Sequence, residues 1–205
     1  MSVDYSNDTS LAGDARRAGK VLDADLLFDR HEVETERLCL DTMALQQPMA
    51  GDLRFLAGAM KINADLERIG DLACNIAKQT WRVSRPPNAT FAARLRRLGD
   101  SVRSMVREAA DALVRRDPGL ARVVWARDAA ADRDYRNLIA FSTELLKEGL
   151  VTPEDVACYI SAGRNLERIG DHATNIAEDV VFIVEGVIVR HNAEARIAPP
   201  DPAGS

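Results

Sequence analysis

Leu66-Glu67-Arg68-Ile69-Gly70-Asp71 returns as Leu166-Glu167-Arg168-Ile169-Gly170-Asp171, and the match runs on through Asn75-Ile76-Ala77 and Asn175-Ile176-Ala177. A repeat of this length makes the chain two copies of one structural unit. Much of what the copies share is not apolar. Glu and Asp stand four apart in each, a spacing that stacks two carboxylates on one face of a helix. Like charges so placed cost a helix about 0.2–0.5 kcal/mol unless a positive group neutralises them. Carrying that penalty twice, at equivalent positions, points to a cation.

Around the repeats, apolar residues recur at helical spacing and no alternating strand pattern stands out. The sequence predicts an all-α protein. One helix is expected from about 20 to 47. Pro48 is placed in the first turn of the next, where a missing N–H costs little. This second helix continues to about Thr80, carries Ile62, Leu66, Ile69, Ala73 and Ile76 as a bundle seam, and spans about 45 Å. Arg85-Pro86-Pro87-Asn88 breaks the chain. Beyond it Thr90 is expected to cap a helix reaching about Arg116. Asp117-Pro118 starts another to Lys147, closed by Gly149, and Thr152-Pro153-Glu154-Asp155 starts the last. The units are therefore 1–85, a helical repeat with its first helix missing or shortened, and 88–191, a three-helix bundle. Residues 192–205 form a proline-rich tail expected to be disordered. Two helices alone leave an apolar seam open, to be covered by the other half or another subunit unless the chain simply begins late.

Bulk properties exclude several functions. A formal charge of -5 argues against nucleic acid as a partner, which needs a concentrated basic face. Cys39, Cys74 and Cys158 are widely spaced and odd in number, which suits reduced thiols. With no visible signal peptide and no apolar run long enough to span a bilayer, the expectation is a soluble cytoplasmic protein without membrane insertion.

The acids are the candidate site. On a helical wheel Glu67 and Asp71, like Glu167 and Asp171, fall nearly opposite the apolar stripe and are expected to look outward. A solvated face eased by Arg68 and Arg168 would account for one such pair. Two more pairs weigh against it: Asp25 and Asp29 precede the first motif on the neighbouring helix, and Asp128 and Asp132 precede the second. Adjacent antiparallel helices would gather four carboxylates in each copy. Oxygen-only ligands suit magnesium, manganese, calcium or iron, with zinc possible. Gly70 and Gly170 are read as points of close helix approach, since glycine inside a helix costs about 1 kcal/mol. His172 has Leu72 as its counterpart, so a metal role shared by both copies is not expected there. His31 and His191 are read as surface residues.

The paired Leu-Glu-Arg-Ile-Gly-Asp-x-Ala-x-Asn-Ile-Ala segments resemble the signature of the PhoU family of phosphate-uptake regulators. Leu45-Gln46-Gln47-Pro48-Met49-Ala50-Gly51-Asp52-Leu53-Arg54 resembles the stretch before its first copy. The resemblance covers about residues 20 to 190. It implies two three-helix bundles side by side, with multinuclear metal clusters on their surfaces. Glu67 and Asp71 would belong to one cluster and Glu167 and Asp171 to the other, with Asp25, Asp29, Asp128 and Asp132 as companions. The ions would be iron, zinc, manganese or magnesium. It further implies a non-enzymatic negative regulator, often a homodimer, that acts with the ATPase side of a phosphate ABC transporter and a phosphate-sensing histidine kinase. Two departures stand out: Leu72 replaces the histidine usual after the first signature Asp, and the helix usual before the Asp25 segment is missing or short. Two other functions compete. A di-metal carboxylate enzyme would use inward glutamates and Glu-x-x-His pairs, which this chain lacks. A purely structural adaptor would use the acids only for solubility.

Overall fold

The computed structural model describes residues 15–80 and 89–189, with side chains described over 28–79 and 89–189. Five long helices make up this part: α1 Ala15–Gln46, α2 Ala50–Thr80, α3 Ala89–Arg115, α4 Pro118–Lys147 and α5 Pro153–Glu185. Strands are absent among the described residues. The break at 85–88, Trp81, His191 and the tail all lie outside them.

Local chemistry sets most helix ends. Asp117 caps α4 by accepting from the Leu120 N–H at 3.0 Å, with Pro118 at the first helical position. Thr152 caps α5 by accepting from the Asp155 N–H at 3.1 Å. Gly149 follows α4 at φ +69°, and Gly186 ends α5 at φ +75°, conformations that a Cβ penalises. Two boundaries differ from the sequence reading. Pro48 does not open α2: it sits in the 47–49 connection, and the helix starts at Ala50 after Gln47 turns at φ 48°. Thr90 lies inside α3, which begins at Ala89.

α3 buries Phe91, Leu95, Leu98, Val102, Met105, Ala109 and Ala112, alternating steps of four and three that define one seam. That seam lies on α4 and α5, and α4 and α5 pack on each other, so the second repeat is a closed three-helix bundle. Phe91 stacks on Tyr159 at 4.4 Å between ring centres. In the first repeat, among the described residues, the close packing of α1 is on α2. Its open seam shows in Leu38, Leu40 and Leu45, all at least half exposed. The two signature helices, α2 and α5, pack against each other and join the halves. This covers the other side of α2 and leaves α5 buried by α2, α3 and α4 together.

Close approach occurs where the sequence reading did not look. A Cβ built on Gly58 of α2 would lie 2.5 Å from Ile183 Cγ1 of α5. A Cβ on Gly170 would meet Val102 and Met105 at 3.7 Å, ordinary contact. Gly58 rather than Gly170 lets the helices approach.

Candidate metal centre

α4 and α5 run antiparallel and bring Asp132, one turn beyond Asp128, against Glu167 and Asp171. One carboxylate oxygen from each of Asp132, Glu167 and Asp171 lies within 4.8 Å of the others. Asp128 adjoins them: its Oδ1 accepts from Thr174 Oγ1 at 3.2 Å, and its charge acts on both Glu167 and Asp171. Three of the four acids predicted for the second repeat therefore gather in one place, and Asp128 lies beside them.

Electrostatics records the crowding. Partial burial, then the charges of Glu167, Asp128 and Asp132, push the Asp171 carboxyl up to about 6. Burial and then Asp132 raise Glu167 as well, against the pull of Arg164 and Arg168. Glu167 is half-buried between the helices, not turned outward as the wheel suggested; Asp171 stays exposed. Three or four anionic oxygens with only flanking arginines fit a hard divalent or trivalent cation, which would hold every carboxyl in its charged form.

The first repeat is arranged differently. Glu67 is half-buried and touches Asp71, and burial followed by the Asp71 charge raises its carboxyl. Arg68 lies 3.6 Å from Glu67 and 3.4 Å from Asp71, a direct counter-charge. Asp29 is exposed on α1, where it borders a shallow groove with Arg30, Val33 and Arg37. The Asp25 side chain lies outside the described residues. Glu32, one turn beyond Asp29, is instead the α1 acid that acts on Glu67. Among the described residues no triple like that of the second repeat forms here.

Sequence reasoning passed over the polar contacts between the halves. Asp65 of α2, nearly buried, takes His172 Nδ1 at 2.7 Å and Asn175 Nδ2 at 3.3 Å, both on α5. Lys61 reaches Asp179 at 3.3 Å. His172 thus serves the junction of the repeats, beside the acid centre, which explains why Leu72 can replace it in the other copy. The available signal was the mismatch itself: Asp65 against Asn165, and His172 against Leu72. His31 is exposed, as read; Cys39 and Cys74 are buried and Cys158 is half-buried.

The PhoU domain model matches residues 2–80 and 95–180, so both repeats are recognised. The chain belongs to the PhoU family. It is 36% identical over 182 residues to the phosphate-specific transport system accessory protein PhoU homolog of Pseudomonas putida, covering 88% of this chain and 71% of that protein. A homolog of the same name with the suffix 1, from Thermotoga maritima, is 34% identical over 170 residues, covering 82% and 73%. Among solved structures, PhoU from Pseudomonas aeruginosa superposes with a TM-score of 0.86 at 33% identity, over 91% of this chain and 90% of that one. The phosphate transport system regulatory protein PhoU from Streptococcus pneumoniae, 24% identical with a TM-score of 0.84, shares the fold. These PhoU relatives are named as accessory or regulatory proteins, not as enzymes. No described helix is long and apolar enough to cross a membrane.

Proposed function

We propose that this PhoU-family chain is a cation-binding regulator that restrains phosphate uptake and phosphate-starvation signalling. It acts in the cytoplasm, as a homodimer, through the ATPase side of a phosphate ABC transporter and a phosphate-sensing histidine kinase. The observation that supports it most is the convergence of Asp132, Glu167 and Asp171 on a scaffold whose relatives are named for phosphate-specific transport. Acids held this close raise one another's proton affinity, and a bound cation removes that cost. Asp128, Asp132, Glu167 and Asp171 would hold ions in the second repeat, and Glu67 and Asp71, with Asp25 and Asp29 along α1, in the first. Iron, zinc, manganese and magnesium all accept such a donor set. The ions would neutralise the surface and fix α4 against α5, giving a partner a rigid face.

Deletion of the gene, with phosphate uptake and alkaline phosphatase measured in phosphate-rich medium, tests the regulatory role. Raised uptake and derepressed phosphatase are expected, and unchanged values of both would remove it. Replacing all four acid pairs by Asn and Gln separates this reading from the structural adaptor. Repression that persists in that variant would favour the adaptor.

A further inference from the structure

Laying Asp29 on Asp132 and Glu67 on Glu167 pairs Thr35 with Leu138, Leu38 with Phe141, Ala59 with Tyr159 and Leu66 with Leu166. In the second repeat α3 covers this ground. Phe91 stacks on Tyr159, Arg94 lies 4.5 Å over the Phe141 ring, and Leu138 and Leu166 are in the core. In the first repeat Thr35, Ala59 and Leu66 instead line an apolar groove with Phe55 and Ile62, and Val114 of α3 stands at its edge. Leu38 is 56% exposed, and Leu45, two turns on along the same face, is 77% exposed. A seam this apolar and this open marks an interface.

Its charges indicate the partner. Glu34 and Asp41 are exposed and lie about 40° round α1 from Leu38 and Leu45, on the edge away from buried Cys39. The contact of Asp41 with Arg37, 3.8 Å long and exposed on both sides, leaves the carboxylate available. On the opposite edge, beside α2, Arg116 stacks over the Phe55 ring at 5.1 Å. Among the described residues it is the one charged group lining the groove. Counting along antiparallel α1 and α2 from the Asn63–Glu32 bond sets Asp41 level with Arg54, next to Phe55. One edge is acidic and the other basic, at the same height. A two-fold axis along the helices lays the acidic edge of one copy on the basic edge of the other.

We propose that the α1–α2 hairpins of two copies pair seam to seam about such an axis and complete an intermolecular four-helix bundle. Asp41 of each copy is set against Arg116 of the other. The α1 helix of one copy runs antiparallel to α2 of its partner, the arrangement of four-helix bundles. The second copy then stands where α3 stands in the second repeat, and one contact buries both the groove and the outward leucines. The inference rests on the homodimer reading above and gives that dimer its surface.

Sedimentation equilibrium of the full chain over a range of concentrations tests it. Wild type is expected to dimerise, and Leu38→Asp to stay monomeric at concentrations where wild type pairs. Asp41→Arg and Arg116→Glu should each raise the dimer Kd by about tenfold or more, and the two together in one chain should bring it back towards wild type. All these side chains are exposed, so circular dichroism should match wild type throughout. Hydrogen exchange reads the same contact without a variant: α1 amides should exchange early in dilute, separated chains and slow as dimers form. A dimer that none of the substitutions weakens, a combined variant no tighter than the single ones, or α1 exchange indifferent to dimerisation overturns this surface and leaves the homodimer reading standing. Wild type that is monomeric at every concentration overturns both, and assigns the seam to residues before Ala15 or to a different protein.

Discussion

Asp171 is the residue on which the physical chemistry bears most directly. Its carboxyl is raised from 3.8 to about 6, so between those values the folded chain binds more protons than the unfolded one. Stability contributed by this group is present at low pH and lost as pH rises through about 6. Metal-free protein should therefore melt at a higher temperature at pH 5 than at pH 7. Asp171→Asn should flatten that dependence and raise the melting temperature at pH 7. The same substitution should shrink the gain in melting temperature when cation is added. Equal pH slopes in wild type and variant would contradict this. Asp65 offers a second test. Removing its carboxylate with Asp65→Ala strips His172 and Asn175 of their acceptor near the repeat junction, a loss of about 1–3 kcal/mol in denaturant unfolding.

Helix pairs explain what was legible in the sequence and what was not. The α4 and α5 starts were readable because Asp117 and Thr152 act through neighbours three residues away, and such local bonds leave a pattern in sequence. The α2 start was misread because Pro48 is compatible both with a first turn and with the connection before it, and the turn at Gln47 decides between them. The four acids of the second repeat were legible from their spacing on two helices. The half-buried setting of Glu167 was not, because a single-helix wheel omits the neighbour that covers it. In the first repeat the spacing pointed to Asp25 and Asp29, whereas Glu32, not the exposed Asp29, is the described α1 acid that acts on Glu67. The glycines failed similarly: a sequence shows that a helical glycine is unusual, not which neighbour approaches it. Gly58→Ala should cost about 1–3 kcal/mol, since Ile183 must move. Gly170→Ala, with room for its methyl, should stabilise the helix by up to about 1 kcal/mol. A smaller loss at Gly58 than at Gly170 would reverse the packing assignment.

At the scale of the molecule, the repeats share a signature but not a degree of closure. Among the described residues α5 packs closely on three helices, whereas the close packing of α1 is on α2. Local opening follows the number of buried apolar contacts. Hydrogen exchange should therefore release the α1 amides early and hold those of α5 longest, and equal protection would show that α1 is covered in solution. The duplication was plain from the two Leu-Glu-Arg-Ile-Gly-Asp segments. The joining of the halves through α2 and α5 was not, because Asp65, His172 and Asn175 carry no shared motif. The central claim is that the converging acids exist to hold cations. Its most direct test is the metal content of the full chain, loaded in turn with iron, manganese and zinc and then desalted, beside the triple variant Asp132→Asn, Glu167→Gln, Asp171→Asn. The account predicts bound metal in wild type and a clear drop in the variant; a wild type free of all three metals, or a variant that retains as much as wild type, would contradict it.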